Sequence, residues 1–269
     1  SWHLILKEMG EEWRKASDGA VTLRIYPGGV AGDEDAMVRK MRIGQIQAAA
    51  ITGIGLAYLE PSFYALHIPM MYESDEEFDS VRDRYAPALE RMMEEKGFVV
   101  LFWGDTGWVR FFSKQPVIRP DDLRKSKLFV WAGSVNEIEA YRSIGFNPVP
   151  LETVDILPNL QTGLINVVPL PPSIALAGQV NSVAPHMLDL AWVPLVGAAV
   201  MTKKAWDTIP PEGRDILRKT AAATGTLLKA DGRRESAESI EAMRKRGLQV
   251  HTLTPDVEAE WRREAEAAG

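Results

Sequence analysis

The sequence contains no cysteine, which rules out a disulfide framework, a thiolate zinc site and a cysteine nucleophile. That absence does not assign a compartment, because envelope proteins of this size need no crosslinks. Histidine is scarce: the four residues stand at 3, 67, 186 and 251, none within four of another, so no helical zinc pair exists and no metal site is expected. Basic charge is not in excess. The 31 Lys and Arg against 37 Asp and Glu give a net charge of −6, and without a broad basic face nucleic acid is not an expected partner. Long apolar runs are missing too; Val193–Met201 reaches only about half of the roughly 20 residues that a membrane helix needs. There is no GxSxG, no P-loop and no complete GxGxxG, since Gly53-Ile-Gly55 is an isolated GxG. The acidic pairs Glu11-Glu12, Glu94-Glu95 and Asp121-Asp122 fall on helix faces or helix starts, where solvation explains them better than acid–base chemistry. No catalytic residue and no cofactor is expected. The first residues are Ser-Trp-His rather than Met, read as a processed or trimmed chain in which a signal peptide would be invisible.

What is present is globular: 269 residues, 46% hydrophobic and 25% charged, with 21 Gly and 17 Pro, enough for about two domains. Leu6, Met9 and Trp13 at helical spacing predict an amphipathic helix over 4–16, and Val21–Tyr26 alternates as a strand until Pro27-Gly28-Gly29. Asp33 and Glu34 open a helix stopped by Gly44, before a strand over 46–51, so that strand, helix and strand read as a βαβ-like unit. Further on, 76–97 reads as a long helix, 98–103 as a strand, and Phe111-Phe112 as the start of another. Pro120-Asp-Asp-Leu123 opens a helix. Strands over 128–131 and 164–168 enclose helices over 135–144 and 154–162, the second stopped by Gly163. A strand over 195–202 precedes a helix from about Ile209 to Gly247, on the order of 50 Å long and able to brace two lobes. A short strand (248–253) and a helix capped by Thr254 end the chain.

MRIGQIQAAAI (41–51) and LQTGLINVVPL (160–170) align without a gap on Gly44 and Gly163. Two similar α/β lobes would produce this, and so would any helix-to-strand connection with a capping glycine. Trp103, Trp108, Trp131 and Trp192 fall at or just beyond predicted strand ends. Ligands gather outside the carboxyl ends of strands in open α/β sheets, so an aromatic-lined cleft is one reading and ordinary core packing the other.

Together the segments LRIYPGGVAGDE, MRIGQIQAAAI, HIPMMYESDEEF, WGDTGWVRFFSKQPVIRPDDLRKSKLFV, IGFNPVPLETVDILPNLQTGLINVVPLPP and MTKKAWDTIPPEG resemble the extracytoplasmic solute receptors of TRAP transporters, the DctP-like family, over nearly the whole chain. The resemblance implies an α/β, two-lobed periplasmic-binding-protein-like fold with a long bracing helix and the ligand cleft between lobes. Lobe I would comprise 1–125 with about 198–247, and lobe II 126–197 with about 248–269. It further implies a periplasmic receptor, not an enzyme, that captures a small organic solute by hinge closure and delivers it to the TRAP membrane permease subunits.

Two departures bear on the solute. Typical members place a carboxylate-binding arginine in the strand that reads KLFV here, and its position is held by Phe129; their polar D-G-Q-E-N-P run reads Asn166-Val167-Val168-Pro169-Leu170-Pro171. A phenyl ring cannot neutralise a carboxylate. Arg110 matches a second family arginine and is either a remaining carboxylate or phosphate ligand or a partly exposed residue between lobes. The expected solute is therefore less polar, apolar or aromatic and including organic acids, lying against Trp108, Phe129, Trp131, Val168, Leu170 and Trp192, with Thr52 and Gly53 contributing from lobe I. The competing readings are an α/β enzyme acting on a small apolar substrate and a scaffold with an empty cleft.

Overall fold

The computed structural model describes residues 2–268. The first helix, α1 (Trp2–Ala16), buries Met9 and Trp13, one turn apart, and places Arg14 and Lys15 at its negative C-terminal end. The strand predicted over 21–26 does not form. Those residues alternate between half-buried and exposed as predicted, and Val21 and Leu23 pack beside Met9 and Trp13, yet no described strand pairs with them. The βαβ-like unit accordingly lacks its first strand. α2 (Glu34–Arg42) has acids in its first turn and bases in its last, and Gly44 follows at φ +76°, the left-handed conformation that ends the helix. β1 (Ala48–Thr52) runs straight into α3 (Gly53–Ala57).

α4 (Asp75–Glu95) leads to β2 (Phe98–Trp108), which continues past Trp103, and then β3 (Arg110–Ser113), α5 (Pro120–Arg124), β4 (Leu128–Trp131) and α6 (Val135–Ser143) follow. β5 (Pro148–Leu151) was not predicted; it carries two prolines and is the end strand of its sheet, where a missing N–H is tolerated. α7 (Ile156–Thr162) stops at Gly163, φ +80°, before β6 (Val167–Leu170). β1 and β6 begin at the same offset from Gly44 and Gly163, as the alignment of the two segments requires. The chain ends through α8 (Pro172–Ala177), β7 (His186–Leu188), β8 (Pro194–Thr202), α9 (Lys203–Trp206), α10 (Pro211–Arg244, 34 residues), β9 (Gln249–His251) and α11 (Pro255–Ala268). No helix among the described residues is long and apolar enough to cross a membrane.

The chain divides into two compact units. The first comprises residues up to Leu66, Glu76–Asp105 and Val196–Arg233. Its sheet has the order β1-β8-β2, with β1 antiparallel to β8 and Thr52 opposite Gly197. Met9, Trp13, Val99, Leu101, Phe102, Trp206, Leu217 and Leu228 form its apolar core. Gly225 of α10 lies so close to β2 that a Cβ there would stand 2.7 Å from the Trp103 carbonyl oxygen.

The second unit comprises His67–Asp75, Thr106–Leu195 and the chain from Arg234 onward. Residues 106–125 thus fall in this unit, where the sequence division had put them in the first, because β3 pairs with β6 and β7. α10 is divided at Arg233. The six-stranded sheet, in the order β5-β4-β6-β3-β7-β9, has a core on each face. Alternation along β4 sends Leu128 and Val130 to one cluster, with Phe111, Trp192 and Trp261, and Phe129 to the other, with Phe112, Val168, Leu170 and Met243.

Candidate functional site

β4 runs parallel to both β5 and β6, so the carboxyl ends of the three strands share one edge, marked by Trp131, Leu151 and Leu170. β3 runs antiparallel to β6 and sets its first residue, Arg110, opposite Leu170 at that edge. The N-terminus of α6 follows directly from β4 there, and that of α8 directly from β6. This is the side of an open α/β sheet on which ligands collect.

Arg110 is the most distinctive group at the edge. Its Nε donates to Oδ1 of Asp189 at 3.1 Å, while its buried Nη1 has no hydrogen-bond partner. Desolvation lowers the proton affinity of the guanidinium, opposed by the charges of Asp189 and Asp75. Asp75, the first residue of α4, accepts a hydrogen bond from Trp108 Nε1 at 2.9 Å. Trp108 and Trp131 are both half-buried; Trp131 donates to Thr153 Oγ1 at 3.2 Å and meets Phe129 edge to face at 5.1 Å.

The other predicted apolar contacts are placed differently. Phe129 and Val168 are fully buried and Leu170 nearly so, all within one apolar cluster of the second unit. Trp192 is buried in the opposite cluster, and its Nε1 donates to the Tyr141 hydroxyl at 3.0 Å. Tyr141 and Ser134 flank the Glu137 carboxyl. Burial pushes Glu137 up to about 7, against the opposing pull of those two hydroxyls, and raises the Tyr141 phenol well above its usual range. Neither Ser134 Oγ nor Glu137 Oε2 reaches a hydrogen bond of ordinary geometry, so the network is only partly closed.

Thr52 and Gly53 belong to the first unit. Thr52 spends its N–H and its hydroxyl on the two carboxylate oxygens of Glu34, both at 2.7 Å, so its hydroxyl proton is already engaged; Gly53 is buried at the start of α3. Burial raises the Glu34 carboxyl, and the bonds from Thr52 and Gly55 oppose that rise. Trp103 does not stand at a strand end: it sits inside β2, donating to Glu90 at 2.7 Å and stacked on Phe63 at 5.6 Å. The groups that sequence reasoning missed are Asp75, Asp189, Glu34 and Glu137. Only the acidic starts of α2 and α4 hinted at any of them. Among the described residues no three of His, Asp and Glu gather as metal ligands.

The model of the bacterial extracellular solute-binding protein family 7, DctP, matches residues 1–268. The C4-dicarboxylate-binding periplasmic protein DctP of Rhodobacter capsulatus is 25% identical over 253 residues, 92% of this chain and 75% of that protein. Among solved structures, the TRAP periplasmic solute binding protein of Ralstonia eutropha H16 with bound (S)-2-acetolactate superposes with a TM-score of 0.92 at 22% identity, covering 99% of this chain and 88% of that one. That of Sulfitobacter sp. NAS-14.1 with bound β-D-galacturonate gives 0.91 at 19%, covering 98% and 88%. These relatives are binding proteins of transporters, not enzymes, and their ligands are acids rather than plainly apolar molecules. The chain belongs to the DctP family: it is an extracytoplasmic receptor of the TRAP type that binds a small organic solute and delivers it to membrane permease subunits.

Proposed function

We propose that the solute is a small organic acid with a single carboxylate and a body less polar than that of a sugar acid. The observation that carries this is Arg110 Nη1, buried with no partner. A buried N–H donor on a charged group left unmade costs on the order of 1–3 kcal/mol or more, and a carboxylate oxygen would remove that cost with a charge-assisted bond. A second clamp is missing at the position where the family resemblance implies one. Phe129 stands there, its ring enclosed among Phe112, Val168 and Leu170. Trp108, the last residue of β2, and Trp131, at the carboxyl end of β4, are half-buried and offer indole faces for the rest of the molecule. The acidic ligands of the relatives support the choice of a carboxylate. Capture makes and breaks no covalent bond.

A thermal-shift screen tests the proposal. Acids with one carboxylate should stabilise the protein by about 2–3 kcal/mol at a hundredfold excess over Kd, a shift of several degrees in Tm. Stabilisation by C4-dicarboxylates or sialic acid alone would sink it.

A further inference from the structure

Arg110 is not an isolated cation. Asp189 accepts from its Nε at 3.1 Å, and the charge of Asp75, held by Trp108 at 2.9 Å, bears on the same guanidinium. Two carboxylate charges therefore act on the one guanidinium. Asp189 is itself anchored: its backbone N–H donates to the His251 carbonyl at 2.9 Å, which ties the segment after β7 to β9. The arginine side chain is 16% exposed and the aspartate 42%, so the carboxylate lies on the open side of the pair.

We infer that Asp189 is a specificity-determining residue of the solute site: it fixes Arg110 through Nε, leaves Nη1 for one carboxylate, and repels a second. The inference rests on the reading of Arg110 as the carboxylate clamp. A monoanion exchanges water for one charge-assisted bond to Nη1 and has no second charge to place near Asp189. A dianion must bring its second carboxylate into the field of Asp189 and Asp75, and Phe129 offers it no cation in return. Specificity of this kind comes from a repulsive element rather than from an added contact. A purely structural ion pair would tie β3 to the segment after β7 without sorting solutes by charge.

The experiment uses isosteric pairs that differ by one carboxylate: succinamate against succinate, and phthalamate against phthalate. Each is titrated calorimetrically at fixed ionic strength and millimolar concentration into the wild-type receptor, Asp189→Asn and Arg110→Gln. Asparagine keeps an acceptor oxygen for Nε, removes the charge and turns the second oxygen into an NH2 donor, and the Tm of each variant reports whether it is folded. The wild type should prefer the monoanion of a pair by at least tenfold, and Asp189→Asn should shrink that ratio by about tenfold, chiefly through tighter dianion binding. An unchanged ratio in Asp189→Asn, or a wild type that prefers the dianion, overturns the role of Asp189 while leaving the clamp standing. Binding that Arg110→Gln does not weaken, or no binding of any of the four acids by the wild type, overturns the clamp and this inference with it.

Discussion

Arg110 and Asp189 join the first residue of β3 to the segment after β7 through a 3.1 Å ion pair in which the arginine is the more buried partner. Desolvating a guanidinium is costly, and one carboxylate at Nε meets only part of its hydrogen-bonding capacity. The unmet part, Nη1, is what a solute carboxylate would complete.

Phe129→Arg, which restores the family's residue type, should not create a second clamp. The ring is fully buried among Phe112, Ile156, Leu160 and Val168, so the substitution would force a charge into an apolar cluster. A loss of about 3 kcal/mol or more is expected, read as a large fall in denaturation midpoint. A variant as stable as the wild type would show that position 129 opens to solvent.

Gly225→Ala should destabilise, although alanine is ordinarily the better helix former by about 1 kcal/mol. The added methyl would meet the Trp103 carbonyl oxygen at 2.7 Å and Phe102 Cβ at 2.9 Å. Chemical denaturation should give a loss of about 1–3 kcal/mol; a gain would mean that α10 and β2 pack less closely than described.

Glu137→Gln should stabilise at high pH. A carboxyl raised to about 7 holds its proton better in the folded than in the unfolded chain. Folding stability is therefore full below the unfolded value near 4.5 and is lost as pH rises toward about 7. Glutamine removes that loss, so the variant should exceed the wild type by about 2 kcal/mol at pH 8, with the difference closing near pH 4.5. A constant difference across that range would contradict the buried-carboxyl explanation.

His186 titrates with the opposite sense. Burial, with the neighbouring His251 in second place, lowers its proton affinity; the facing ring nitrogens lie 3.0 Å apart on the parallel strands β7 and β9. The folded state prefers the neutral ring, so stability is kept above the ordinary histidine range and falls as pH drops through and below about 6.5. His186→Gln should flatten that acid limb in a series of melting curves, and an unaltered limb would remove the pair as its cause.

Much of the fold was legible because its signals are local. Met9 and Trp13 mark a buried helix face, and Gly44 and Gly163 mark helix ends that only a residue tolerant of positive φ accommodates at no strain. The misreadings are failures of pairing. Residues 21–26 alternate like a strand but find no partner, whereas Pro148 and Pro150 disguise a strand that survives at a sheet end. The candidate site divides in the same way. Trp108 and Trp131 could be singled out as strand-end residues and Arg110 through the family resemblance, but Asp75 and Asp189 are far from Arg110 in sequence and come near it only once β3, β7 and α4 are in place. Phe129, Val168, Leu170 and Trp192 were legible as apolar; alternation along paired strands, which decides the face each one occupies, was not.

Calorimetric titration of a stabilising organic acid into the wild type and Arg110→Gln tests most directly whether this receptor reads a carboxylate through one buried guanidinium. The loss of a charge-assisted, desolvated contact predicts a fall in affinity of about a hundredfold or more, with the variant still folded. Equal affinity in the two proteins, or stabilisation of the wild type only by neutral solutes, would contradict it.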